Sequence, residues 1–266
     1  MSLPLLTGCV SQAAAGGGGI PAGITARDNL AHWWKMNEGS TTAETDYGLG
    51  ATADTNMVMS GVTSSSGGPS ANGTPDFIEF DGVADDAYVP LVDSGGTYTA
   101  AGNIVNSSPN TWSFSLWLKD ESTTNTTYKT WFKGGDHWSE GFGVYAVGSS
   151  QYYWINVYSG YRAIEHSAVP TSGWRNIVMT FPDVTSVSGK MSVYFDGTEV
   201  TYKNLGAGSG ITTQISQTAD SRLSLGCSKA ANGTENYHQA CSISDVRIYD
   251  RILTGAEITA IAAGDW

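Results

Sequence analysis

Residues 111–119 read Thr-Trp-Ser-Phe-Ser-Leu-Trp-Leu-Lys. Trp112, Phe114, Leu116 and Leu118 fall on one side of a two-residue period, and Ser113, Ser115 and Trp117 fall on the other. Successive side chains of a strand point to opposite faces, so this is a strand with one wholly apolar face. Working outward, similar patterns recur. Tyr128 to Lys133, Gly141 to Val147, Gln151 to Tyr158, Trp174 to Phe181, Lys190 to Phe195, Arg222 to Cys227 and Ile243 to Tyr249 read as strands. So do Leu30 to Met36, Asp76 to Phe80 and Ala87 to Pro90 upstream. Clusters of Gly, Asn, Ser and Pro separate them, as turn chemistry requires. About a dozen strands at this spacing predict an all-β fold, a two-sheet antiparallel jelly-roll sandwich. One short C-terminal helix is expected after Thr254-Gly255-Ala256-Glu257, which has capping-box spacing. Ile258, Ile261 and Ala262 give it an apolar side, and Gly264 ends it.

The composition agrees. Of 266 residues, 33 are Gly, 11% are aromatic and only 14% are charged. Helical proteins want more Ala, Leu, Glu and Lys. The net charge of −12, from 13 basic and 25 acidic residues, speaks against a nucleic-acid partner and against anionic membranes. No apolar run is long enough to span a bilayer. The four His, at 32, 137, 166 and 238, have no metal-ligand spacing.

Residues 1–27 differ from the rest. Ala13-Ala14-Ala15 runs into Gly16 to Gly19, without a period. This segment reads as an arm or linker that attaches the chain to other subunits, and residues 28–266 read as the sandwich. Leu6-Thr7-Gly8-Cys9 looks like a lipobox. The stretch before it lacks Lys and Arg and is too short for a signal peptide, which argues against a lipidated Cys9. Cys227 and Cys241 flank a turn-rich stretch. If their strands pair as a hairpin the sulfurs could form a disulfide; otherwise they are two buried thiols. The odd Cys and the lack of an export signal speak against a disulfide framework.

Several segments together resemble the laminin-G-like branch of the concanavalin A-like lectin and glucanase superfamily. Trp33-Trp34-Lys35-Met36-Asn37-Glu38-Gly39-Ser40 is similar to its first strand and acidic-Gly turn. Asp46-Tyr47-Gly48-Leu49-Gly50 sits where the family has Asp before a Gly-rich turn. Phe80-Asp81-Gly82, leading through Asp85 and Asp86 to Tyr88-Val89, resembles a further segment. Gly173 to Val178 resembles its Trp-x-His-Val strand, with Asn176 where His is common. Lys190 to Val200 looks like its Asp-Gly hairpin, and Ile243 to Ala262 like its closing strand and helix. The resemblance covers nearly everything after the arm. It implies a fold and not one activity, because the superfamily mixes enzymes, lectins and adhesive modules.

The resemblance implies that an enzyme of this kind would carry two Glu around an Asp, in E-x-D-x-x-E spacing on one strand face. Glu79-Phe80-Asp81 begins such a pattern, but position 84 is Ala. The segment reads instead as a strand-to-turn boundary, so no catalytic residue and no enzyme are expected. No cofactor is expected either. A structural calcium is conceivable at Asp81, Asp85 and Asp86, with Asp245 and Asp250 near the C-terminus, since Ca²⁺ takes several oxygen ligands. The plainer reading is that these Asp cap turn amides. For glycans, Gln151 to Tyr158 places Tyr152, Trp154, Asn156 and Tyr158 on one face of a strand. Trp117 is a candidate for the same sheet face, and His137, Trp138, Tyr161 and Arg162 are candidates from loops. Aromatic rings stack on sugar C–H faces with an amide or guanidinium beside them. The plainer reading is packing under loops.

The functional expectation is a non-catalytic display module held in a larger assembly by its arm, such as a phage virion decoration or fibre protein on the virion surface, with an adhesive, glycan-binding role. A homo-oligomer is expected. The alternatives are a secreted or lipid-anchored bacterial lectin at the cell surface and, least favoured, a glycoside hydrolase.

Overall fold

The computed structural model describes residues 29–48, 56–69, 76–89, 91–94, 97–100, 111–120, 129–135, 141–147, 150–157, 160–166, 173–181, 192–200, 203–204, 223–229, 235–236 and 238–264. In chain order the strands are β1 (Leu30–Trp34), β2 (Ala43–Glu44), β3 (Met57–Ser60), β4 (Thr63–Ser65), β5 (Phe77–Asp81), β6 (Asp86–Tyr88), β7 (Leu91–Ser94), β8 (Thr97–Ala100), β9 (Trp112–Asp120), β10 (Lys129–Gly135) and β11 (Gly141–Val147). There follow β12 (Ser150–Val157), β13 (Gly160–His166), β14 (Arg175–Phe181), β15 (Ser192–Phe195), β16 (Thr198–Glu199), β17 (Lys203–Asn204), β18 (Leu223–Leu225), β19 (Ser228–Lys229), β20 (Glu235–Asn236) and β21 (Ala240–Tyr249), then the helix α1 (Gly255–Ala263).

These strands form two large antiparallel sheets. The eight-stranded sheet runs β16-β15-β14-β9-β21-β5-β4, with β1 also on β21. The nine-stranded sheet runs β17-β13-β12-β11-β10-β18-β6-β3-β2. Two small hairpins, β7–β8 and β19–β20, stand apart. The jelly-roll sandwich with one C-terminal helix is thus observed as expected.

The segment at 111–119 shows why the sheets stack. Trp112, Phe114, Leu116 and Leu118 of β9 are all buried in the main core. Phe114 stacks on Phe132 of β10 with ring centroids 4.2 Å apart, joining one sheet to the other. Trp112 stacks on Phe181 of β14 within its own sheet. Val144, Leu223 and Leu225 face the same core from the nine-stranded sheet.

The strand β21 organises the eight-stranded sheet. One of its edges follows β9 throughout; the other is shared by β5, opposite residues 240–243, and β1, opposite residues 246–249. A register shift between Ser244 and Arg247 marks a bulge, and Asp245 within it is left-handed, with φ +53°. Asp and Asn tolerate that conformation better than most residues.

The helix covers the outer face of this sheet. Ile258 and Ile261 pack with Leu30, Trp33, Val178, Tyr249 and Leu253. Thr254 caps the helix in a complete capping box, and Gly264 closes it at φ +77°. The expected apolar side is right at Ile258 and Ile261, while Ala260 is buried and Ala262 only half-buried.

Several elements differ from expectation. Tyr161 and Arg162 lie on the strand β13, not on a loop. Trp117 belongs to the eight-stranded sheet and Trp154 to the nine-stranded one, so no single sheet face can hold both. The strands beside Cys227 and Cys241 do not pair as a hairpin, because β18 and β21 lie in different sheets. Both cysteines are buried thiols.

Candidate functional site

A continuous register crosses the nine-stranded sheet. Ala43 pairs with Val58, Val58 with Tyr88, and Tyr88 with Ser224. Ser224 pairs with Lys133, Lys133 with Gly143, Gly143 with Trp154, and Trp154 with Ala163. Residues directly opposite in an antiparallel ladder share a face. Phe132, Val144 and Leu225, each a neighbour of this row along its strand, belong to the core, so the row lies on the outer face. Exposure falls along it: Ala43 and Val58 are exposed, Tyr88 is half-buried, and Ser224 and Lys133 are buried.

The glycan candidates distribute over this register. Tyr153 pairs with Val144 and so belongs with the core-facing positions. Tyr152, Trp154 and Asn156 therefore occupy outward positions, and Tyr161, opposite Asn156, joins them. Arg162 pairs with Ile155 and falls in the other, core-facing set. Opposite Trp154 and Asn156 on β11 stand Gly143 and Gly141, positions without side chains. His137, Trp138 and Tyr158 lie outside the described residues. Lys133, buried in the middle of the row, was not singled out from sequence. Its signal is a cation directly after the aromatic pair Trp131-Phe132.

A second polar and aromatic group sits where β1 meets the following turn. Lys35 Nζ lies 4.5 Å from the Trp33 ring centroid and 4.0 Å from that of Tyr47. Tyr47 is exposed, and its hydroxyl donates to Glu38 at 2.6 Å. Asp46 is buried and accepts from the amides of Trp33 and Gly48, both at 2.9 Å, and lies 2.6 Å from His32 Nδ1. Burial pushes its carboxyl upward, but His32 and the two amides outweigh that and hold it below the usual range. Gly48 is required here: a Cβ would fall 2.1 Å from the carbonyl oxygen of Ala31.

A laminin-G-like family model, described as the concanavalin A-like lectin/glucanases superfamily, matches residues 93–259. The chain belongs to this superfamily. Among solved structures it is similar to botulinum neurotoxin type C, from work on its entry into cells through two ganglioside molecules. The identity there is 14% and the TM-score 0.61, over 91% of this chain and 52% of that one. It is similar to the binding domain of botulinum neurotoxin DC in complex with rat synaptotagmin II, at 13% identity and TM-score 0.60, over 91% and 53%. A mutant Trypanosoma rangeli sialidase displaying trans-sialidase activity matches at 14% identity and TM-score 0.55, over 89% and 33%. At such identities the likeness is one of fold. The chain spans about half the length of the two neurotoxin chains. No curated protein matches it by sequence.

Against the superfamily's carboxylate pattern, Glu79 and Asp81 are used locally. Glu79, on the outer face of β5, accepts from the Ser65 hydroxyl at 2.9 Å. Asp81 ends β5 and accepts from the amides of Val83 and Ala84 at 2.7 and 3.3 Å, around Gly82 with φ +77°. Asp85 accepts from the Asp81 amide at 2.7 Å. Its pKa is raised, first by burial and then by the charges of Asp81 and Asp86, against the opposing pull of that amide and of His238. Asp86 is buried and opposite Ser60. Carboxylates bonded to turn amides have fewer oxygens for Ca²⁺, and among the described residues no group of three or more His, Cys, Asp or Glu is arranged to hold a metal. Asp245 is bonded to Trp33 and Arg247. Among the described residues no helix is long and apolar enough to cross a membrane.

Proposed function

We propose that the chain is a non-catalytic carbohydrate-binding domain whose recognition surface is the outer face of β11, β12 and β13. The observation that carries this reading is the register that aligns Tyr152, Trp154, Asn156 and Tyr161 on one face, with Gly141 and Gly143 beside them. Aromatic rings stack on sugar C–H faces and an amide bonds sugar hydroxyls, so these outward positions supply the two kinds of group a glycan takes; Gly143 itself is buried, which puts such a contact on the β12–β13 side of the face. Membership of a lectin-containing superfamily supports it, as does likeness in fold to a neurotoxin studied for its interaction with gangliosides. A glycan array probed with the full chain tests the proposal. Binding to a defined set of glycans, lost in Trp154→Ala, is expected. Absence of binding to any glycan, or binding indifferent to that substitution, would overturn it. Incubation with polysaccharides should release no product, since Ala84 stands where the second Glu of the hydrolase pattern would be.

The finer reading is display. Residues 1–27 would join the sandwich to other subunits of a larger assembly, as in a phage decoration or fibre protein, with the sugar-binding face outward. A secreted or surface-anchored bacterial adhesin is the alternative. Removing residues 1–27 separates the two: loss of particle incorporation with glycan binding intact supports the assembly, and normal incorporation sinks it.

A further inference from the structure

Glu44 ends β2, the edge strand of the nine-stranded sheet, opposite Met57. It is 1% exposed. Its Oε1 accepts from the Asn37 amide at 3.2 Å; its Oε2 is buried and receives no donor at good hydrogen-bonding geometry, the Met36 and Glu38 amides near the carboxyl giving only weak support. A buried carboxylate oxygen so poorly met strongly disfavours the ionised form. The charged and titratable groups around it do little to help. Glu38 repels its charge, and Tyr47 is bonded to Glu38. Lys35 lies over Tyr47 and Trp33 and acts on Glu38. Asp46 is committed to His32 and two amides. Met36 and Met57 bring no charge.

The loop that Glu44 closes has its own tension. Met36 is buried at φ +61°, a conformation that a non-glycine residue keeps only when packing enforces it. Beyond it, Glu38 accepts from the Thr45 amide at 3.3 Å and from the Tyr47 hydroxyl, tying the loop to the strand that follows.

We propose that Glu44 is a protonation latch: neutral, it holds the loop at residues 36–45 closed; ionised, it releases the loop and with it the exposed Tyr47–Lys35–Glu38 corner. Burial pushes the Glu44 carboxyl up to about 7, with Glu38 adding to the push and the amides of Asn37, Met36 and Glu38 opposing it. A carboxyl raised in the folded state stabilises that state fully below its ordinary pKa, here 4.5. That stability is lost as pH rises through the folded value, so the latch opens toward neutral pH and closes in acid.

The test is a ¹³C-carboxyl NMR titration of Glu44 in the full chain, with amide protection factors at Asn37, Glu38 and Thr45 measured at pH 5 and pH 8. Glu44 should titrate two or more units above an ordinary Glu, and protection at the three amides should fall about tenfold or more above that midpoint. Glu44→Gln should keep protection at both pH values. Titration of Glu44 in the ordinary carboxyl range overturns the latch. So does protection unchanged across its titration, or the same pH-dependent loss in Glu44→Gln. Should Glu44→Gln fail to fold, the wild-type titration and protection factors decide by themselves. Neither readout depends on a glycan, so the latch and the sugar-binding proposal can fail separately.

Discussion

The indole nitrogen of Trp33 donates to Oδ1 of Asp245 at 2.7 Å, across 212 residues of chain. Asp245 sits in the bulge of β21 and also receives Arg247, Nε to Oδ1 at 2.8 Å and a terminal guanidinium nitrogen to Oδ2 at 2.6 Å. All three side chains are buried, and the Arg247 guanidinium lies 5.2 Å from the Trp33 ring centroid. One carboxylate thus neutralises a buried cation, shapes the bulge and fastens the first strand to the last. Asp245→Ala should lower stability in urea unfolding by about 3–5 kcal/mol, because Arg247 stays buried while losing the carboxylate that neutralises it. Asp245→Asn combined with Arg247→Met should recover much of that loss, since an apolar replacement removes the stranded charge.

The helix end carries a separate acid sensitivity. Thr254 accepts from the Glu257 amide at 3.3 Å, while the Glu257 carboxylate accepts from the Thr254 amide at 2.8 Å and from Arg251 at 2.6 and 2.8 Å. Burial pushes the Glu257 carboxyl up, but Arg251 and the Thr254 amide and hydroxyl outweigh it and hold it at about 2. A depressed carboxyl stabilises the fold above its unfolded pKa, here 4.5, and that contribution fades as pH falls toward 2. Thr254→Ala should cost about 1 kcal/mol at neutral pH. Glu257→Gln should flatten the fall in melting temperature between pH 5 and pH 2.

Two left-handed glycines should respond unequally to alanine. Gly226, at φ +73°, would place a Cβ 2.2 Å from the Phe80 ring in the core. Gly197, at φ +80°, would meet only the surface of α1, at 3.2 Å from the Thr259 Cα. The left-handed backbone alone costs about 1–2 kcal/mol for a side-chain-bearing residue. Gly197→Ala should show roughly that loss in chemical denaturation, and Gly226→Ala clearly more, because Phe80 must move.

On β13 the register separates two neighbours by role. Tyr161 stands opposite Asn156 on the outer face, and Arg162 opposite Ile155 on the other. Tyr161→Ala should weaken glycan binding about tenfold while leaving the melting temperature nearly unchanged. Arg162→Ala should do the reverse. Titration calorimetry and thermal unfolding of the two variants check this; equal effects on binding would refute the assignment of faces.

Much of the architecture was legible because strand and cap signals are local. The alternation in β9, the mixed small and apolar pattern of β21 and the Thr254–Glu257 spacing all act within one or two turns of chain. Short elements escaped. The strands β3 and β4 lie in a Gly- and Ser-rich stretch whose composition reads as loop, and β13 carries Gly, Ala and charges that blur its period. The candidate site was half legible. Alternation puts Tyr152, Trp154 and Asn156 at positions on one side of their strand, but it cannot show that Arg162 lies on β13 in the opposite set or that Trp117 lies in the other sheet. Alternation assigns a side of one strand and is blind to which sheet that strand will join.

From the residues alone, the chain is committed to two antiparallel sheets, an apolar seam between them and one capped helix, because each follows from the period of side chains along a few bonded residues. Tertiary structure alone decided that Trp117 and Trp154 lie in different sheets, that Cys227 and Cys241 are buried apart from any shared hairpin, and that Trp33 meets Asp245. It also buried Glu44 with one oxygen poorly met. Such outcomes depend on pairing between segments far apart in the chain, where burial and partner are set by the neighbour that arrives and not by the residues on either side.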